Sequence, residues 1–129
     1  MTTIYARVVQ NQKPTYKDIN NDQGSTYTDT ITLKNIDDTP FDLTDWSIRA
    51  SLRRNVAAST ATSFTCTKTD AANGEFTMGL TSVQTAALTA QNYMPTIYVY
   101  DVEIYNADET PIVYRVLRGR AKVEPEVTR

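Results

Sequence analysis

At 129 residues the chain fits one domain, since domains of roughly 100–150 residues bury about two-thirds of their unfolded surface around a single core. Thirteen Lys and Arg against 15 Asp and Glu give a formal charge of −2, so no global field draws the protein to nucleic acid or to an anionic membrane, and no apolar run approaches the roughly 20 residues that span a bilayer. Histidine is absent, which removes the commonest general base and the commonest neutral metal ligand, and the four glycines form neither a G-x-G-x-x-G nor a Walker loop that could cradle a nucleotide phosphate.

In chain order, residues 1–23 hold a short strand candidate, Ile4 to Val9, and a polar passage ending at Gly24. The segment reads as an arm that adds to a neighbour's sheet or as a strand of the domain's own sandwich, because unpaired backbone groups seek a ladder either way. The start, MTTIYARVVQNQKP, lacks the basic region, apolar stretch and cleavage site of a secretory signal, which predicts a chain first made and retained in a cytoplasm. From residue 24 to 129 the pattern predicts a β-sandwich domain. Strands are predicted at Tyr27 to Lys34, Trp46 to Arg53, Ser63 to Thr67 and Glu75 to Leu80, with turn chemistry at Asp37 to Pro40 and Ala72 to Gly74. Ile31 and Leu33 alternate with Thr30, Thr32 and Lys34; Trp46, Ile48, Ala50 and Leu52 alternate with Ser47, Arg49, Ser51 and Arg53. Cys66, the single cysteine, is expected as a buried structural thiol.

Thr81-Ser82-Val83-Gln84 has the form of a capping box and predicts one short helix, which Val83, Ala87 and Leu88 would pack onto the sandwich. A long hairpin follows. Tyr98, Tyr100, Val102 and Ile104 face inward on its first arm and Val99, Asp101, Glu103 and Tyr105 outward; on the second, Leu117, Gly119, Ala121 and Val123 face inward and Arg118, Arg120 and Lys122 outward. Asn106 to Pro111 would make the turn, and Pro125 ends the last strand.

Little chemistry is available to this chain. Asp37, Asp38, Asp42 and Asp45 lack the spacing of an EF-hand and suit hydrogen bonds to their own backbone better than calcium. Asp101 and Glu103 share a strand face, which a glycosidase could use only with a facing carboxyl; an ion ladder with Arg118, Arg120 or Lys122 of the adjacent strand is the simpler reading. The basic stripe Arg115, Arg118, Arg120 and Lys122 has no interleaved aromatics for stacking single-stranded bases. Tyr105 and Tyr114, near the hairpin turn, are the tyrosines best placed for the surface.

The order of motifs resembles a family of small tailed-bacteriophage virion proteins related to the N-terminal domain of the phage baseplate upper protein. The resemblance rests on Gly24 before Tyr27 to Leu33, Pro40-Phe41-Asp42-Leu43-Thr44, Asn73-Gly74, Leu80 to Leu88, Tyr98 to Glu103 and Gly119 to Thr128, and covers residues 24 to 129. It implies an all-β fold, an immunoglobulin-like antiparallel β-sandwich with one short helix and an N-terminal arm. The implied function is non-enzymatic: a virion structural protein, made in the host cytoplasm, acting as adaptor or attachment component of tail, baseplate or neck. Other virion proteins and copies of the chain would be its partners, without cofactor, metal, nucleic acid, membrane or small-molecule ligand. The outward residues Arg49, Ser51, Arg53, Tyr105, Tyr114, Arg118 and Arg120 become the candidate interface. Alternatives are a capsid decoration protein of the same fold and a carbohydrate-binding sandwich module using Tyr105, Tyr114 and Trp46, although the inward phase of Trp46 predicts a buried ring.

Overall fold

Alternation of β-branched or aromatic residues with polar ones produces two stacked sheets in the computed structural model, which describes residues 3–8, 13–106 and 111–128. A four-stranded sheet has the order β1-β4-β8-β7, formed by Thr3–Arg7 (β1), Tyr27–Lys34 (β4), Glu75–Leu80 (β8) and Thr65–Asp70 (β7). Facing it, a six-stranded sheet runs β2-β10-β9-β5-β6, from Thr15–Tyr16 (β2), Ile112–Glu124 (β10), Thr96–Asn106 (β9), Ser47–Arg53 (β5) and Thr62–Ser63 (β6). The strand Ile19–Asp22 (β3) also pairs with β10.

The fold is thus an all-β sandwich with one short helix, and its sheets are mixed rather than antiparallel throughout. The strands predicted from Tyr27 onward pair antiparallel, whereas β1, which covers most of the predicted Ile4 to Val9 strand, pairs parallel to β4 and both β2 and β3 pair parallel to β10. Residues of the first 23 therefore add strands to both of the chain's own sheets. Val9, at the end of the first predicted strand, and the tip of the late hairpin at 107–110 lie outside the described residues.

The core lies between the sheets. Ile31 and Leu33 of β4 and Phe76 and Met78 of β8 are fully buried against Leu52 of β5, Val102 and Ile104 of β9, and Leu117, Ala121 and Val123 of β10. At about 25 cal/mol per Å² of apolar area this burial is the main force holding the sheets together. The predicted strand Ser63 to Thr67 is two strands: the chain leaves the six-stranded sheet after Ser63 and enters the four-stranded one at Thr65. Phe64 is the wedge at this corner, buried with its ring 5.9 Å from Tyr27 and 6.3 Å from Tyr100.

Gly74 sits at φ +74 in the turn before β8, where a Cβ would lie 2.5 Å from the Leu33 carbonyl and 2.6 Å from that of Phe41. No other residue fits there without moving backbone. The capping box forms as expected, with the Gln84 amide donating to Thr81 Oγ1 and the Thr81 amide to Gln84 Oε1. It opens the helix Ser82–Ala86 (α1). Thr85 and Leu88 are the buried residues here, while Val83 and Ala87 face solvent: one turn of helix presents a single narrow inner stripe, and the Thr85 hydroxyl fills it by donating to the Ser25 carbonyl. Cys66 is half-buried, and burial pushes its thiol up to about 11. No helix among the described residues is long and apolar enough to cross a membrane.

Candidate docking face on the six-stranded sheet

The outer face of the six-stranded sheet follows directly from strand register. On β9 the outward residues are Val99, Asp101, Glu103 and Tyr105; β5 and β10 flank it. Arg49 and Arg115 stand on either side of Glu103, Ser51 and Arg118 on either side of Asp101, and Arg53 and Arg120 on either side of Val99. Two columns of arginine therefore border one column whose carboxylates stop at Asp101.

An ion ladder does cross this face, with partners other than those expected. Arg49 Nε lies 2.8 Å from Glu103 Oε1 and Arg115 Nε 3.2 Å from Asp101 Oδ2. Arg120 instead pairs at 3.4 Å with Asp18, which also accepts from the Arg120 amide at 3.0 Å, and Lys122 pairs with Glu124 at 3.0 Å. A bulge between Arg115 and Leu117 is the physical reason. Val116 and Leu117 both turn inward there, which breaks the alternation and swings Arg115 towards the carboxylate that lies in register with Arg118. Arg118 has neither an ion pair nor a side-chain hydrogen bond among the described residues.

Ser51, Arg53, Arg118 and Arg120 come together in one groove of about 340 Å³, which Asp101, Arg115, Val99 and Tyr16 also line. Arg53 is held by donating to the Ala58 carbonyl at 2.7 Å, a contact that orients the guanidinium without neutralising it; among the described residues Arg53 makes no ion pair, and its charge acts on Asp101 only at longer range. Burial pushes the Asp101 carboxyl above its ordinary value, against the pull of Arg115. The Arg120 amide holds Asp18 below its ordinary value. Tyr16 and Asp18 belong to the N-terminal segment, and nothing in their local sequence pointed to this face; only the parallel pairing of β2 and β3 with β10 brings them here.

Of the other three candidates, Arg49 and Tyr105 lie at the Glu103 end of the same face, whereas Tyr114, in register with inward Ile104 ahead of the bulge, is half-buried against the core and not outward as expected. Arg49 covers the ring of Tyr105 at 4.8 Å, and Tyr114 stacks on Trp46 at 5.5 Å, with Phe41 against the far side of the pair at 5.6 Å from Trp46. Trp46 is half-buried rather than buried, being the residue just before β5 and at the margin of the core. Tyr114 and Trp46 thus each commit one ring face to the other, and Arg49 occupies one face of Tyr105.

The acidic connection before β5 is a backbone device. Asp37 Oδ1 accepts from the amide and hydroxyl of Thr39, and Asp42 Oδ1 from those of Thr44. These bonds hold both carboxyls below their ordinary values. Arg7 of β1 ties the turn down through Asp38 and the carbonyls of Asn35 and Ile36.

No protein-family profile matches the chain, and no curated protein does. Among solved structures the fold is similar to the N-terminal domain of phage TP901-1 ORF48, with a TM-score of 0.54 and 11% identity over 96% of this chain and 99% of that one. A looser likeness, TM-score 0.38 and 10% identity over 95% of this chain and 49% of the other, is to the bradyzoite-specific antigen BSR4 from Toxoplasma gondii.

Proposed function

We propose that the chain is a non-enzymatic structural component of a tailed-phage particle, an adaptor that docks onto other virion proteins, and onto copies of itself, through the outer face of the six-stranded sheet. The observation that carries this reading is a sandwich shared with a phage domain over nearly the whole of both chains. The ordered motifs from Gly24 to Thr128 support it independently, since they resemble proteins related to the phage baseplate upper protein. The sandwich offers docking chemistry of the right kind: a rigid sheet presenting Arg49, Arg53, Arg118 and Arg120, with Tyr105 at one end. Arginine and tyrosine are the residue types enriched at protein interfaces. Repetition of the subunit in a symmetric particle would multiply a modest contact through avidity.

A mass-spectrometric inventory of purified particles tests the proposal. The protein is expected in stoichiometric amount with the other tail, baseplate or neck proteins, and its absence from intact particles would overturn the assignment.

A further inference from the structure

Resting on that docking reading, we infer that the groove between β5 and β10 receives an extended acidic peptide segment of a partner protein, with Arg53 and Arg118 each taking one carboxylate. Charge is the first ground. Four guanidinium groups and one carboxylate line the groove. Asp101 pairs with Arg115 and Asp18 with Arg120, so among the described residues Arg53 and Arg118 are left without an ion pair of their own, Arg53 sharing only the longer-range attraction of Asp101, on a chain whose formal charge is −2. A cationic pair on an otherwise acidic molecule selects for an anionic partner and sets its register.

Geometry is the second ground. Arg53 is in register with Val99 and Arg118 with Asp101, so the two arginines stand two strands and one residue pair apart. Strand spacing of about 4.8 Å and a rise of about 3.4 Å per residue place their Cα atoms about 12 Å apart, the span of three or four residues of extended peptide. The Ala58 carbonyl already orients Arg53, which lowers the ordering cost of binding. A guanidinium fork also matches a carboxylate bidentately.

A nucleic acid fits less well. Asp101 and Glu103 stand between the arginine columns and Asp18 beside Arg120, and together they would repel a continuous chain of phosphates. Tyr16 is the one exposed ring in the lining, too few for a run of stacked bases.

The full-length chain should be titrated by fluorescence anisotropy against a labelled peptide of alternating glutamate and threonine, its glutamine counterpart, and labelled oligothymidylate. The glutamate peptide is expected to bind, more weakly as salt rises, and Arg53→Ala and Arg118→Ala should each cost about tenfold in affinity. Asp101→Asn should tighten binding, because it removes the carboxylate that competes inside the groove. That gain of affinity cannot arise from a variant that merely folds badly. Equal binding of the glutamine peptide, undiminished binding by the double arginine variant, or tighter binding of oligothymidylate through the same arginines would overturn the inference. So would self-association abolished by the same variants, which would give the groove to a second copy. A protein found in particles yet silent towards the glutamate peptide leaves the structural role standing and removes only this inference; absence from particles does the reverse.

Discussion

The two outer faces of the sandwich are built on opposite plans. On the four-stranded sheet Thr3, Thr30, Thr77 and Thr67 fall in register across all four strands, and Thr28 and Thr65 flank Gly79 in the next row. On the six-stranded sheet the corresponding rows carry arginine and carboxylate. Threonine satisfies the β preference for branched side chains and hydrates well, so the middle of this face keeps a sheet soluble; its charges, Arg7, Lys34 and Glu75, stand at the strand ends. It discriminates little between partners. The other face concentrates five arginines, Arg49, Arg53, Arg115, Arg118 and Arg120, on two strands, and the bulge at Val116 and Leu117 sets which of them pair within the sheet. Similar backbones thus serve different ends, and the distinction lies in register and side-chain choice.

The core is common to both faces, so its loss should erase the distinction between them. Phe76→Ala is expected to cost about 3–5 kcal/mol in urea denaturation and to lower amide protection in both sheets together. Gly119→Ala should separate them. A Cβ at Gly119 would lie 2.1 Å from the Lys17 carbonyl, which also accepts the hydroxyl of buried Tyr100. The expected cost is about 1–3 kcal/mol, with hydrogen exchange rising in β2, β3 and β10 while β4 and β8 keep their protection.

Asn21 runs the other way. Its side chain is wholly buried in β3 and neither amide atom has a hydrogen-bond partner among the described residues, so Asn21→Leu should stabilise the six-stranded sheet by about 1 kcal/mol in the same denaturation assay. Thr77→Arg places a charge among the threonine rows of the other face; stability should change by under about 0.5 kcal/mol, and binding of the glutamate peptide should be unaffected. The smallest effect concerns pH. Hydrogen bonds from the Thr44 hydroxyl and amide hold Asp42 below its ordinary 3.8, so its contribution to stability is present above that value and lost as pH falls through the folded one. The melting temperature of Asp42→Ala should sit slightly below that of the unmodified chain at neutral pH, and the two should converge in strong acid.

Much of the sandwich is legible in the sequence because its signals are local. Alternation marks β4 and β8 to the residue, Asn73-Gly74 marks the turn between β7 and β8, and Thr81 with Gln84 marks the helix start. What escapes is non-local. The parallel pairing of β1, β2 and β3 depends on partners roughly 30 to 100 residues away, and no periodicity encodes a partner. The sheet switch at Phe64 hides inside a run that alternates correctly on both sides. For the docking face, the outward phase identifies Ser51, Arg53, Arg118 and Arg120, which the structure gathers in one groove. The ion-pair partners escape because the bulge shifts register by one residue. Its trace is visible in YRVLRGR, where Val116 and Leu117 stand side by side and alternation fails.

Half-buried Cys66 has a consequence for handling the molecule. With its thiol pushed up to about 11, only on the order of one molecule in ten thousand carries the thiolate at pH 7, and the thiolate is the form that alkylating reagents attack. The single native cysteine is therefore chemically quiet. A reporter thiol introduced on the arginine face, or on the threonine face as its control, will take a dye or a crosslinker selectively, with the native side chain left in place.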